Sequence, residues 1–229
     1  RRSVPFKVGS RKVYNYSTND KYMSIENQSN DPISPREETP ESFREKLSEL
    51  PNGYAFNNGL DDSLVAELIE YSTKDPLILK NTSDAKRFAD RESYLEWREK
   101  NRTLYSLTNA DRSKLLGIAW FGKEAIPLPR FELSEDINPT DYEITIAKRL
   151  YDKARNRKIA KIMMKIAFSE YLQHQAQNQR TGFWSETSLD NEINVKVNQS
   201  LGFRIVSKPN KSGKILMGAR FEDLLAALE

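Results

Sequence analysis

The strongest constraint on the fold is a strand, a short basic loop and a helix that follow one another late in the chain. Residues 142–150 alternate apolar and polar side chains, which predicts a half-buried strand. The apolar face of that strand comprises Ile144, Ile146 and Leu150. From Arg157 to about Gln175 apolar residues recur at helical spacing, so we expect an amphipathic helix. Its apolar face comprises Ile159, Ile162, Met163, Ile166 and Ala167.

The junction between this strand and this helix is rich in positive charge, contributed by Arg155, Arg157, Lys158 and Lys161. The first turn of a helix presents free backbone N–H groups and the positive end of the helix dipole, which together bind anions. Cations at a helix start oppose the dipole, so a solvated surface turn, the alternative interpretation, carries a small free-energy penalty. The junction therefore predicts a phosphate-bearing ligand at the start of the helix.

The motif Arg155-x-x-Lys158-x-Ala160 resembles the R/Q-x-x-G-x-G/A pyrophosphate loop of the GNAT N-acetyltransferase superfamily. Further features follow in the order typical of that family. A strand at 182–187 comes first, and then Asn191 opens a short helix that ends before Gly202-Phe203. The interval from Asn191 to Phe203 is similar to the family's N-x(11)-F pattern. The motif resemblance covers residues 142–207.

The resemblance implies an α/β (α+β) fold with a mixed, splayed central sheet and helices on both faces. It also implies acetyl-CoA as co-substrate, with the pantetheine arm lying where the strand separates from its neighbour. The arm would pair with the backbone of Arg149 and Leu150, and Asn191 would hydrogen-bond to it. The pyrophosphate would be bound by the loop and the first turn of the helix, which comprise Arg155, Asn156, Arg157, Lys158, Ile159 and Ala160.

Three positions depart from the family pattern. Asn156 and Lys158 stand where family members usually carry Gly, and Asn198 stands where a general-acid Tyr is frequent. Glycine allows the backbone to approach a pyrophosphate without a Cβ in the way. These departures motivate a second hypothesis, in which the chain is a catalytically inactive GNAT-fold module that binds CoA or interacts with proteins.

For an active enzyme, the resemblance implies direct attack of an amine on the acetyl thioester, without a metal or a covalent intermediate. Such chemistry needs a base for the amine and an acid for the departing thiolate. Glu143, early in the strand, and Glu186, on the strand after the long helix, are the candidate bases. Deprotonation through water, with no essential base, is the alternative. His174 is better explained by a favourable charge at a helix C-terminus.

An acidic cluster lies before or at the start of the strand and suggests an amine-bearing acceptor, either a small molecule or a protein amine. As a hypothesis, the cluster attracts the cationic acceptor; the equal alternative is a charged surface loop. The cluster comprises Glu132, Glu135, Asp136, Asp141 and Glu143.

The remaining sequence predicts two parts, a 1–52 N-terminal extension and a 53–229 GNAT-like acyltransferase domain. The extension would consist of a hairpin, a polar linker and a short helix at about 39–50. The domain would follow the order β-α-α-β-β-β-α-β-α-β-β, with a break at Asp75-Pro76, a second helical region at about 84–101 and a last helix at 221–228. A homodimer is one of the roles left open for the extension.

Composition narrows the classes of function. The chain has 229 residues, a formal net charge of +3, no Cys and one His, so neither a disulfide nor a thiolate metal site can form, and we expect no metal site. No apolar run approaches the roughly 20 residues that span a bilayer, and we expect a cytoplasmic protein without a membrane partner. A nucleic-acid partner is disfavoured, because no basic stripe interleaved with aromatic residues is present.

Overall fold

A seven-stranded sheet forms the centre of the fold in the computed structural model, which describes residues 47–151, 154–174 and 181–228. The strand order is β1-β2-β3-β4-β5-β7-β6. Neighbouring strands are antiparallel except β4 and β5, which are parallel. The strands are β1 (Tyr54–Asn58), β2 (Arg102–Asn109), β3 (Leu115–Lys123), β4 (Tyr142–Leu150), β5 (Gly182–Ser188), β6 (Arg204–Ile205) and β7 (Lys214–Ala219).

Helices cover both faces of this sheet. They are α1 (Val65–Lys74), α2 (Pro76–Asn81), α3 (Asp84–Arg87), α4 (Arg91–Arg98), α5 (Arg157–Gln173), α6 (Glu192–Gln199) and α7 (Phe221–Leu228). One apolar cluster joins the sheet to α5, α6 and α7, and another joins it to α1, α2 and α4. Strand β3 contributes to both, since Ala119 and Phe121 lie in the first cluster and Ile118 and Trp120 in the second. This alternation is the period of two that a strand buried on both faces requires.

The sheet splits between β4 and β5. Strand β4 pairs with β3 along most of its length, from Ile144 to Leu150. Its pairing with β5 ends at Thr145↔Trp184, whereas β5 continues beside β7 as far as Ser188. The predicted mixed, splayed sheet with helices on both faces is therefore confirmed, and the strand expected at 142–150 forms as β4.

The helical region expected at 84–101 consists of two helices, so its prediction as one helix was wrong. The chain leaves α3 before Asp90, whose carboxylate accepts a hydrogen bond from the N–H of Ser93 at 2.8 Å and so caps α4. The expected break at Asp75-Pro76 forms, because Asp75 caps α2 through the N–H of Leu77 at 3.0 Å. The carboxylates of Asp75 and Asp90, which accept hydrogen bonds from backbone N–H groups in the first turns of α2 and α4, thus set these helix boundaries.

Most of the predicted N-terminal extension lies outside the described residues, including its hairpin and linker. Of the helix expected at 39–50, residues 47 and 48 are described as helical. Within the described ranges, every helix is too short or too polar to cross a bilayer. The same ranges contain no group of three or more His, Asp or Glu side chains placed to hold a metal ion.

Candidate functional site

A cleft of about 280 Å³ opens where β4 and β5 separate. Five consecutive residues of β4 and three of β5 line it, and α6 and the segment around α2 and α3 close its sides. Most of the lining is polar. The lining residues are Asn81, Thr82, Ser83, Arg87, Trp120, Glu124, Pro127, Arg130, Thr145, Ile146, Ala147, Lys148, Arg149, Trp184, Ser185, Glu186, Asn194, Asn198 and Lys214.

Strand β4 presents an unpaired backbone edge to this cleft. The carbonyl of Glu143 and the N–H of Tyr151 bond to the β3 side at 2.8 and 2.9 Å. Alternate residues of an antiparallel ladder direct both backbone groups to the same neighbour, so the odd-numbered residues between them also face β3. The carbonyl of Ile146 and the backbone groups of Lys148 and Leu150 therefore point towards the gap, whereas the N–H of Ile146 belongs to the last step of the ladder with β5.

Two arginines reach back to this edge. The carbonyl of Lys148 accepts a hydrogen bond from Nη1 of Arg149 at 2.8 Å, and the carbonyl of Leu150 accepts one from Nε of Arg155 at 3.2 Å. Of the two residues expected to pair with pantetheine through their backbone, Leu150 thus faces the gap. The backbone of Arg149 faces β3, and its side chain lies in the cleft.

The basic junction forms the start of α5, as the sequence suggested. Arg157 is the first residue of the helix, and the Oδ1 atom of Asn156 accepts a hydrogen bond from the N–H of Lys158 at 2.8 Å. The Lys158 side chain is exposed. The guanidinium of Arg155 forms an ion pair with Asp75, the residue that caps α2. The helix start is thus cationic and already capped by its own asparagine.

The remaining residues of the predicted loop and Asn191 serve the packing and capping of helices. Ile159 and Ala160 are 7% and 8% exposed and lie in the apolar cluster between the sheet and α5. The Asn191 side chain caps α6 by accepting a hydrogen bond from the N–H of Asn194 at 3.3 Å. Asn191 is outside the set of residues that line the cleft, whereas Asn194 and Asn198, one helical turn apart, are within it.

Lys148 is a cleft residue that the sequence-based prediction missed. Its ammonium donates a hydrogen bond to Oδ1 of Asn198, and the Nδ2 atom of this fully buried asparagine donates to Oγ of Ser185 at 3.0 Å. Burial and the neighbouring charge of Arg149 lower the pKa of Lys148 to about 7. The sequence carried a signal, since Lys148 interrupts an otherwise apolar face between Ile146 and Leu150. A lysine in this state exchanges its proton near neutral pH.

Asp84 was also missed, and it forms the most buried charge of the site. Its fully buried carboxylate accepts Nε of Arg149 at 2.6 Å and Nη1 of Arg87 at 2.9 Å. Burial by itself raises the pKa of Asp84, but Arg149 and Arg87 outweigh that effect and hold the pKa below its usual value. Asp84 and Arg149 are 65 residues apart, and no local pattern in the sequence links them.

The two candidate bases occupy different environments. Glu186 lines the cleft and is 19% exposed, and its carboxylate binds Nη2 of Arg130 at 2.7 Å and Nζ of Lys214 at 2.8 Å. Glu143 is exposed at the start of β4, where its carboxylate lies 3.7 Å from Nζ of Lys123. The pairing of β4 with β5 is irregular at this position. The structure therefore brings Glu186, and not Glu143, to the cleft.

The acidic cluster before β4 does not line the cleft. Two of its members form ion pairs with basic residues. Asp136 pairs at 2.9 Å with Arg204, which lies on β6, and Glu132 pairs with Lys208, which follows β6. These pairs support the interpretation of the cluster as a charged surface loop.

No known family model matches the sequence, and no curated protein matches it. Solved structures do match the fold. A bacterial toxin superposes with a TM-score of 0.56 at 18% identity, over 78% of this chain and 96% of that one. The aminoglycoside acetyltransferase AAC(6')-Ib, solved with ribostamycin and coenzyme A, gives 0.55 at 14% identity, over 76% and 97%.

A spermidine N-acetyltransferase chimera from Vibrio cholerae and hSSAT gives a TM-score of 0.53 at 10% identity, over 76% of this chain and 99% of that one. At such identities the likeness concerns the fold. The order of the strands, the separation of β4 from β5 and these superpositions agree with one another. The chain therefore has a GNAT-like fold.

Proposed function

We propose that the protein is an acetyl-CoA-dependent N-acetyltransferase that transfers the acetyl group to an amine by direct attack. One observation carries the proposal: β4 separates from β5 after Thr145 and exposes a backbone edge that leads directly into a cationic helix start. Acetyltransferases that bind coenzyme A or acetyl-CoA are among the proteins with this fold.

The residues present fit acetyl-CoA as a co-substrate. The carbonyl of Ile146 and the backbone groups of Lys148 and Leu150 offer donors and acceptors to the amides of pantetheine, in the way that a sheet edge binds an extended peptide. The charges of Arg155 and Lys158, with the dipole of α5, offer a site to the pyrophosphate. Because the side chain of Asn156 occupies the N–H of Lys158, phosphate binding would depend more on side-chain charge than in a glycine-rich loop.

The reaction requires a neutral amine to attack the thioester carbonyl, with release of a thiolate that then takes up a proton. Lys148 is suited to exchange that proton, since its ammonium lies beside the gap and its pKa is near 7. Of the two candidate bases, Glu186 is the one that lines the cleft, and it would accept a proton from the amine, directly or through water. Glu143 would require a different approach of the acceptor, from the start of β4.

The second candidate function is a catalytically inactive module that binds CoA or a protein partner. The cap that Asn156 provides favours it, because this side chain competes with a phosphate for the N–H of Lys158. Such a module would bind acetyl-CoA without releasing its thiol, or would not bind it at all.

Isothermal titration with acetyl-CoA tests the proposal. We expect micromolar binding by the unaltered protein, and a loss of at least about tenfold, or 1.4 kcal/mol, in a variant that combines Arg155→Ala with Lys158→Glu. Lys211→Glu is the matched control for Lys158→Glu: it makes the same charge change at another exposed lysine and should leave the affinity unchanged.

A screen of amines by thiol release then separates the two candidate functions. Binding with turnover supports the enzyme, whereas binding without turnover for any amine supports the inactive module. An unaltered protein that does not bind acetyl-CoA would overturn the proposal.

A further inference from the structure

Two carboxylates, Asp84 behind the cleft lining and Glu186 within it, are each shared by two cations. Asp84, at 0% exposure, binds Arg149 and Arg87 at 2.6 and 2.9 Å. Glu186, at 19% exposure, binds Arg130 and Lys214 at 2.7 and 2.8 Å. In a group of two cations and one carboxylate, one positive charge remains uncompensated. Both groups therefore leave the cleft with positive charge.

Lys148 increases this excess when its side chain is protonated. Its ammonium is bound to the neutral side chain of Asn198 rather than to a carboxylate. The other acidic residue of the lining, Glu124, is paired with Arg102 at 2.7 Å. Among the described residues, the cleft lining thus carries five cations, Arg87, Arg130, Lys148, Arg149 and Lys214, against three carboxylates: Glu124 and Glu186 of the lining and Asp84 behind it.

A cleft with this balance of charge disfavours a polycationic acceptor. Charges in a cleft with low-dielectric walls act on a ligand more strongly than charges on an open surface. Polyamines and aminoglycosides would bring several ammonium groups among these cations. A ligand with one carboxylate or phosphate would instead compensate the excess charge. The same cations lower the pKa of an acceptor amine nearby, which favours the neutral, attacking form.

We infer that the acceptor is an amine that also carries a carboxylate or a phosphate, and that Arg130 and Lys214 bind this anionic group. The inference rests on the proposed N-acetyltransferase function. Arg130, Lys214 and Arg87 are accessible cations of the cleft, with side chains 55%, 32% and 35% exposed. Arg130 and Lys214 are brought together by one partly exposed carboxylate, that of Glu186, whereas Arg87 is bound to the fully buried Asp84. Glu186 orients both cations and leaves donors of their head groups available to the ligand.

The test compares matched pairs of amines that differ mainly by one anionic group. Lysine and cadaverine differ by a carboxylate, and glucosamine 6-phosphate and glucosamine differ by a phosphate. Each amine is titrated calorimetrically into the CoA-bound protein and assayed with acetyl-CoA by thiol release. We expect the anionic member of at least one pair to bind at least about tenfold more tightly than its partner. The pair that shows the preference identifies the anionic group.

Arg130→Gln should abolish most of this preference while leaving the affinity for CoA unchanged. The matched control is Arg91→Gln, because Arg91 is also 55% exposed and also pairs with a carboxylate, that of Asp62, but does not line the cleft. This control should retain the preference. A reduced affinity for CoA in the Arg130 variant would assign these cations to the co-substrate and would overturn the inference.

Equal binding within both pairs, or tighter binding of cadaverine or glucosamine, would also overturn the inference. These outcomes differ from failure of the proposed function, which appears as absent acetyl-CoA binding. In that case the amines are titrated into the protein alone, and the same comparison decides whether the cleft selects anions.

Discussion

Positive charge is concentrated both at the start of α5 and in the cleft beside β4. The two regions differ in the burial of the charged side chains and in their ion-pair partners. At the start of α5, Lys158 is exposed and lies two residues from the asparagine that caps its N–H. In the cleft, Arg149 is 15% exposed and bound to an aspartate 65 residues away. Exposed charges can change at small cost to stability, whereas a buried charge can be removed only with its partner. The first region is therefore adaptable for binding, and the second is tied to the fold.

The largest expected effect tests this distinction in the cleft. Asp84→Ala would leave Arg149 and Arg87 without their shared carboxylate, and loss of one partner of a buried ion pair costs about 3–5 kcal/mol. We expect the free energy of unfolding, measured by urea denaturation, to fall by that order. Glu192→Ala is the control, since it breaks a pair with Lys196 in which both side chains are more than half exposed and should cost about 0.5 kcal/mol or less. Similar losses in both variants would contradict the distinction.

The next largest effect is expected at Lys148, where the free energy of unfolding should depend on pH. The pKa of Lys148 is about 7 in the folded chain against an ordinary value of 10.5. Between these values the unfolded chain binds a proton that the folded chain lacks, so the contribution of Lys148 to stability rises with pH from about 7 to 10.5. The full contribution is present above about 10.5, is lost progressively as the pH falls below that value, and is gone at about pH 7.

Lys148→Met removes this contribution. The free energy of unfolding of the unaltered protein, minus that of the variant, should increase by about 3 kcal/mol between pH 7 and pH 10. Lys148→Arg should behave like Lys148→Met in this respect, since an arginine remains charged in both states. A difference that does not change with pH would show that Lys148 keeps an ordinary proton affinity, and would remove its proposed part in proton exchange.

The smallest expected effect lies at the start of α5. There a substitution should raise the free energy of unfolding, whereas Asp84→Ala should lower it. Lys158→Glu replaces a cation by an anion in the first turn of the helix, where negative charge interacts favourably with the dipole. We expect thermal or urea unfolding to show a gain of about 0.3–1 kcal/mol, while acetyl-CoA binding weakens. Lys211→Glu, in an exposed turn, should give neither effect. A loss of stability in the Lys158 variant would indicate that the helix start is more constrained than its exposure suggests.

Local sequence patterns were sufficient to predict those features that are formed by residues close together in the sequence. The alternation in β4, the helical period of α5 and the order of the elements all follow from residues a few positions apart. The break of the region 84–101 into α3 and α4 was missed, because a single side-chain cap at Asp90 outweighed the helical pattern around it.

The chemistry of the cleft was less accessible to prediction, because its pairs join distant residues. Lys148 and Asn198 are 50 positions apart, and Arg130 and Glu186 are 56 apart. Asn198 was noticed as a departure from the family pattern, but its partner could be identified only once α6 lay beside β4. Glu186 was selected from the sequence as a carboxylate on a strand; the two cations that bind it were not.

The separation of β4 from β5 also creates a sheet edge inside the molecule. Exposed edges invite pairing with another chain, and here Arg149 and Arg155 bond to two of the carbonyls on that edge. Their guanidinium groups block the continuous ladder that a foreign strand would need. A ligand with only a few amides can displace one contact at a time, so this edge can accept a short, irregular chain while excluding a regular strand.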